Sequence, residues 1–336
     1  MMVDELHVAL RDGRLTPGEA ARLTAEQLSV RNASGNTPLH SAAKYGALVL
    51  LAPEILTPKN LLIKNDSGYT PLHHAALRGH LDQIPDAVIN TEVLLTRSNL
   101  GYTVLHVAAA NGHLDQLPPR LITAEIVQTK TDLGNTLLHE AAENGTLDRF
   151  PASFVTAPLL AQANASGETV FHVAALNGNL AQIPPALLTP QTLLAKTGSG
   201  DTVLHAAALA CRLEQIPPVL LTHAHLTIAS KSGYTVIHAA AETGQLAKIP
   251  RAELTRDLLF TRNDHGDTPL HAAAYEGHLD QIPYALLTAE TLNVRNYDGI
   301  TPLRTAVSRG FAEQIPGALR PRPPGPLAHL LKRLGF

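Results

Sequence analysis

Apolar and polar positions along the chain alternate between two textures. In residues 65–97 the turn cluster NDSG is followed by YTPLHHAALRGH, where Leu72, Ala75 and Ala76 fall at i, i+3 and i+4 and make one helical stripe. Asn, Asp and Gly suit a tight turn because they tolerate or supply left-handed backbone. Thr70 is placed as an N-cap, Pro71 at the first helical position and Gly79 at the C-cap. The paired alanines let neighbouring helices approach closely. The second texture, LDQIPDAVINTEVLLTR, is apolar but broken by Ile84-Pro85. Proline removes a donor and clashes with the preceding turn, so one helix through this stretch is excluded. The pattern predicts a short bend, a brief outer helix opened by Asn90, and an extended return. Glu92 in the first turn of that helix favours its dipole.

The two textures recur throughout. Gly35, Gly68, Gly101, Gly134, Gly167, Gly200, Gly233, Gly266 and Gly299 are spaced by 33 residues without insertion or deletion. His40, His73, His106, His139, His172, His205, His238 and His271 keep the same period, with Arg304 in the ninth place. A second glycine ladder, Gly46 to Gly310, is interrupted at Cys211. The break recurs at Ile183-Pro184, Ile216-Pro217, Ile249-Pro250, Ile282-Pro283 and Ile315-Pro316, and a fresh helix start follows at positions such as Thr123, Thr189, Thr255 and Thr288. A period of this length marks stacked structural repeats, each burying the apolar face of its neighbour. Residues 1–31, with His7 in register, are expected to form an N-terminal capping partial repeat. Residues 32–320 hold nine 33-residue units, the last partial, and 321–336 form a Pro-rich linker with a short amphipathic segment.

The front half of each unit resembles the ankyrin repeat. GNTPLHSAAKYG, GYTPLHHAALRGH and GDTPLHAAAYEGH carry that family's Thr-Pro-Leu-His, Ala-Ala and Gly-His positions at its period. The resemblance implies an all-α, ankyrin-like repeat solenoid: stacked helix-turn-helix units with β-turn fingers. It implies a protein–protein interaction scaffold, and it implies that the ladder histidines fix the turn by hydrogen bonding to nearby backbone. The outer half departs from the family, with Ile-Pro and Leu-Thr-x-Glu in place of an uninterrupted helix.

Composition narrows the chemistry. Hydrophobic residues make up 45% of the chain, enough for a packed core, and with six Phe, seven Tyr and no Trp that core is aliphatic. The formal net charge of −3 argues against a general nucleic-acid binder. A basic stripe, Arg31, Lys64, Arg97, Lys130, Lys196, Arg262 and Arg295, could track phosphates. The acids Asp66, Asp132, Asp264 and Asp298 beside it favour a solvated, paired finger edge instead. Cys211 is the one cysteine, which excludes an intrachain disulfide and fits a reducing compartment, so the expected location is cytoplasmic. No secretory leader and no apolar run of membrane-span length is apparent. Histidines one per unit do not converge on a metal, and no nucleophile elbow, phosphate loop or HExxH is present. No cofactor, metal or catalytic residue is assigned, and the chain is expected not to be an enzyme. His223 and His225 lie close together in LTHAHLT, but only Cys211 could join them as a ligand, so they are assigned to structure.

The positions that vary from unit to unit point to a binding face. Four sites per front half, on the inner helix and finger, are expected to face outward. They hold most of the tyrosines, and tyrosine is a favoured interface anchor. The candidate partner-binding residues are Tyr45, Tyr69, Arg78, Tyr102, Glu140, Glu143, Glu168, Tyr234, Glu242 and Tyr275. Aromatic anchors beside carboxylates favour a basic, extended, partly apolar protein or peptide, bound by a monomer on a concave face. The alternative is a structural spacer within a larger complex. In the C-terminal tail, Leu327, Leu330, Leu331 and Leu334 form an apolar stripe, expected to cap the last repeat, with a docking peptide or membrane contact as the other reading.

Overall fold

The computed structural model describes residues 3–320, which separate into two compact units on either side of a boundary between Gly198 and Ser199. The tail stripe at Leu327–Leu334 lies outside the described residues.

In the first unit the inner helices are α1 (Val3–Arg11), α2 (Pro38–Tyr45), α3 (Pro71–Arg78), α4 (Val104–Asn111), α5 (Leu137–Asn144) and α6 (Val170–Leu176), each packed on the next. In the second they are α7 (Val203–Leu209), α8 (Val236–Glu242), α9 (Pro269–Glu276) and α10 (Pro302–Arg309), again packed in series. Each unit is therefore an all-α stack of repeats. Three isolated bridges at the finger bases, Arg97 with Thr103, Ala163 with Thr169 and Ala229 with Thr235, are the nearest approach to strand structure among the described residues.

Local chemistry sets each inner helix. Thr70 sits at the N-cap in extended backbone and accepts from His73 N–H, Pro71 opens α3, and Gly79 closes it at φ 74°. The alanine pairs are fully buried between neighbours, as at Ala75, Ala76, Ala108, Ala141 and Ala142. Cys211 occupies the left-handed closing position with φ 59°, the one non-glycine among the described residues at positive φ. At the finger tips the glycine is demanded twice over. Gly101 has φ 77°, and a Cβ there would lie 2.6 Å from the backbone nitrogen of Asp132 in the next finger.

The Ile-Pro steps interrupt the outer half as the prolines predict. Leu279–Gln281 is a 3₁₀ turn, Ile282 is extended, Pro283 starts a second 3₁₀ turn at Tyr284–Leu286, and a four-residue helix follows at Ala289–Leu292. Thr288 caps that helix by accepting from Thr291 N–H at 3.2 Å. Ile84, Ile183, Ile216, Ile249, Ile282 and Ile315 are all buried, so the kink that breaks the helix also drives its preceding side chain into the core.

Candidate functional site

The site begins with the frame that carries it. Each ladder histidine is buried and bonded at both ring nitrogens. In α5, Thr136 N–H donates to His139 Nδ1 at 3.2 Å, and His139 Nε2 lies 3.1 Å from the carbonyl of Glu168 in the next finger. A carbonyl only accepts, so Nε2 carries the hydrogen and Nδ1 accepts, which fixes the tautomer. The same reach joins His40 to Tyr69 O (3.0 Å), His73 to Tyr102 O (3.1 Å), His238 to Asp267 O (3.0 Å) and His271 to Ile300 O (3.1 Å). His106 divides its reach between Thr129 O and Asn135 O. In the second unit His205 likewise reaches Tyr234 O at 3.2 Å. His172 belongs to the same series and accepts from Thr169 N–H at 3.1 Å. Burial is the main cause that pushes His40, His73, His106 and His238 down to about 4, and it lowers His139 and His271 as well, so these rings are neutral near pH 7.

Three further sets of bonds tie repeat to repeat. Gln116 donates to Gly79 O (2.7 Å) and accepts from Leu81 N–H (3.0 Å). Gln182 does the same with Gly145 and Leu147, and Gln314 with Gly277 and Leu279. His113, Thr146 and Asn179 each bond a carbonyl on the preceding inner helix: Ala76, Ala109 and Ala142. The basic stripe is the third strap. Arg97 reaches Lys130 O at 2.9 Å, Lys130 reaches Ala163 O at 2.9 Å, and Arg31 reaches Lys64 O. Arg97 also pairs with Asp132 at 2.6 Å and Arg31 with Asp66 at 3.9 Å. Arg262 does not turn to Asp264. It bonds the carbonyls of Gly266 and Arg295, because these lie along the finger edge while the acid points to solvent. His225 is likewise tied locally, to Leu220 O at 2.7 Å, and the His223 backbone N–H donates to Glu253 at 2.6 Å. No group of three or more His, Cys, Asp or Glu that could hold a metal occurs among the described residues.

On this frame the varying side chains form clefts within each unit. Near the first repeats of the first unit, His7, Arg11, His40, Ser41, Lys44, Tyr45 and His74 line a cleft of about 220 Å³. Lys44 lies 5.4 Å from the centre of the Tyr45 ring, and His7 Nδ1 is 2.7 Å from Ser41 Oγ. Arg78 is exposed at the end of α3, one repeat on. Further along the same unit, Tyr102, Leu133, Asn135, Glu143, Asn164, Glu168, Val173 and Leu176 line a second cleft of about 330 Å³.

One expected outward position is not outward. Glu140 is 3% exposed, and Val107 and Val173, its counterparts in neighbouring repeats, are also buried. Glu140 packs instead against Asn135 of its own finger and Tyr102 of the preceding one, which cover it. Asn135 donates to Glu140 Oε1 at 3.0 Å, and the Tyr102 hydroxyl interacts with the same carboxyl group. Burial, reinforced by Glu143 nearby, pushes Glu140 up to about 7. Burial first, then Glu140 and Glu143, pushes the Tyr102 phenol up to about 12, and burial raises Tyr69. Tyr69 stands edge-on to His73, with ring centres 5.1 Å apart.

In the second unit Tyr234, Glu242, Asp267, Tyr275, Glu276 and Asp298 line a cleft of about 380 Å³. The Tyr234 hydroxyl donates to Glu242, and burial together with that bond raises its pKa. The Arg309 guanidinium stacks 4.0 Å from the Tyr275 ring. Sequence reasoning missed Leu133 and Asn164 as parts of these clefts. The signal for Leu133 was its place in a turn tip, DLG, where most units carry a polar residue such as Ser166 or Ser199.

A stack of short inner helices with bonded fingers, carrying variable tyrosines and carboxylates, defines a helical repeat protein. Sequence models of the ankyrin repeat match residues 6–85 and 50–118, in an array of three copies, and a single ankyrin repeat matches residues 265–297. The chain thus contains ankyrin repeats, which are generally protein–protein interaction modules. Comparison with curated proteins finds no match to the chain. No helix among the described residues is long and apolar enough to cross a membrane.

Proposed function

We propose that the chain is a non-catalytic scaffold that holds an extended, partly apolar, basic segment of a partner protein along its inner-helix and finger face. Tyr69, Tyr102, Glu143 and Glu168 form the centre of that face in the first unit, with Glu140 buried behind Tyr102 and with Tyr45 and Arg78 before them. Tyr234, Glu242 and Tyr275 serve the second unit. One observation carries the reading. The buried frame recurs from repeat to repeat, while this face holds side chains that vary among the repeats and include carboxylates with no ion pair among the described residues. Tyrosine supplies affinity through a large rigid surface, and charge selects the partner and speeds encounter. The protein acts as a monomer in this reading. The exposed free thiol of Cys211 supports a reducing, cytoplasmic setting.

The test is selection of peptides from a random display library on the full chain. Enrichment of basic, aliphatic-containing peptides that compete with one another and lose binding to Tyr102→Ala is the expected result. Peptides indifferent to substitutions on this face, but sensitive to the outer 3₁₀ turns, would overturn it.

A further inference from the structure

The cleft of about 330 Å³ between the fingers and inner helices of residues 102–177 has two kinds of wall. One is apolar and open: Leu133 is 64% exposed and Leu176 is 42% exposed, with Val173 behind them and the Tyr102 ring at one side. Large aliphatic side chains exposed together in a cleft are contact surface awaiting a cover. The other wall is acidic and built. Asn135 donates to Glu140 Oε1 and accepts from Asn164, and Asn164 donates to Glu168 Oε2, each at 3.0 Å. This chain of amides takes one oxygen of each of two carboxylates and fixes both. No Lys or Arg pairs with Glu140, Glu143 or Glu168 among the described residues. Glu140 is itself 3% exposed with a single amide donor and the Tyr102 phenol as its polar neighbours. A buried carboxylate can accept more than that, so one cation brought close would recover much of what burial costs it.

We propose that this cleft is the receptor for one arginine side chain of the bound segment, its aliphatic stem on Leu133, Val173 and Leu176 and its guanidinium between Tyr102, Glu143 and Glu168. Only a side chain with an apolar stem and a cationic head satisfies both walls. Arginine fits better than lysine. Its flat, weakly hydrated fork stacks on an aromatic ring and addresses two carboxylates together, whereas an ammonium is a hydrated point charge. Roughly 300–1,000 Å³ is the range of small-molecule sites, so this cleft, at the bottom of it, takes one side chain and leaves the rest of the segment to run along the face.

The inference rests on the proposed function, and the experiment separates the two. The full chain, labelled at Leu and Val methyls, is titrated with N-acetyl-argininamide, with the citrulline analogue and with N-acetyl-lysinamide. Saturable shifts of the Leu133, Val173 and Leu176 methyls are expected with the arginine probe, none with citrulline, and weaker binding with lysine. Glu143→Gln with Glu168→Gln keeps the side-chain volumes and the amide bonds, and is expected to weaken the arginine probe about tenfold or more. Equal response to citrulline, or no saturable shift, overturns the arginine receptor. Library peptides that compete on this face yet show no arginine enrichment would sink the receptor and leave the scaffold reading standing. Arginine enrichment with insensitivity to Glu143→Gln and Glu168→Gln would place the receptor elsewhere.

Discussion

His139 and Glu140 are neighbours on α5, both almost wholly buried at 0% and 3% exposure, and they belong to different regions of the molecule. His139 is part of the frame, repeated every 33 residues and satisfied at both nitrogens by its own repeat and the next finger. Glu140 is part of the face, found in one repeat only and held by a single amide and a phenol. Burial moves the two in opposite directions, lowering the imidazole and raising the carboxyl, because in each case it penalises the charged form. Equal burial thus has unequal meaning. A buried polar group that repeats and is saturated builds the stack, while one that is unique and under-bonded is poised for something outside it.

The largest effect that tests this contrast is acid unfolding. His40, His73, His74 and His106 titrate near 4 in the folded first unit, below the ordinary histidine value of about 6.5. Their contribution is complete above about 6.5 and is lost as pH falls toward 4, because the unfolded chain binds more protons across that window. Denaturation followed by circular dichroism from pH 7 to 4 is expected to show a fall of several kcal/mol. Glu140 works the other way. Its folded value near 7 lies above its unfolded one, so its contribution is complete below about 4.5 and is lost as pH rises through 7. That window overlaps the histidine one with opposite sign, so Glu140→Gln is expected to remove the offset and steepen the fall in stability from pH 7 to 4. A flat profile between 7 and 4 would break the assignment of the ladder as buried neutral imidazole.

Next in size is His139→Ala. It orphans Thr136 N–H and the Glu168 carbonyl and leaves a void, so urea unfolding is expected to show a loss of about 3 kcal/mol. An unchanged midpoint would mean that the frame is not what holds the stack. Tyr102→Ala should do the reverse. Binding of a selected peptide weakens by about 1–3 kcal/mol, with stability little altered. The smallest effect is Cys211→Gly. A non-glycine side chain in left-handed backbone costs about 1 kcal/mol or more, so the glycine is expected to raise the unfolding free energy by roughly that amount.

Much of the frame is legible in the chain. Threonine, proline and glycine mark the inner helices, and the Ile-Pro step breaks the outer half because proline chemistry is local. What is not legible is anything set by the offset between repeats. Glu140 reads as outward by helical spacing, yet Asn135 of its own finger and Tyr102 of the preceding one cover it. Gln116 and Gln182 carry no local sign of their partners, yet they bridge to Gly79 and Gly145. Leu133 reads as a turn residue and proves to be a wall of the cleft. Each of these depends on the distance between stacked repeats, which no single repeat encodes.

The straps also bear on how such a chain can change length. Arg97 to Lys130 and Lys130 to Ala163 span 33 residues, and Gln116 to Gly79 and Gln182 to Gly145 span 37. Donor and acceptor always occupy fixed places in adjoining repeats. Excising one whole period within a unit therefore splices a donor to an acceptor of the same kind, whereas a one-residue insertion in a finger throws every strap across it out of step. Copy number is free to drift by duplication and loss while spacing is not, so the chain can lengthen or shorten its reading surface a whole module at a time without redesigning what joins the modules.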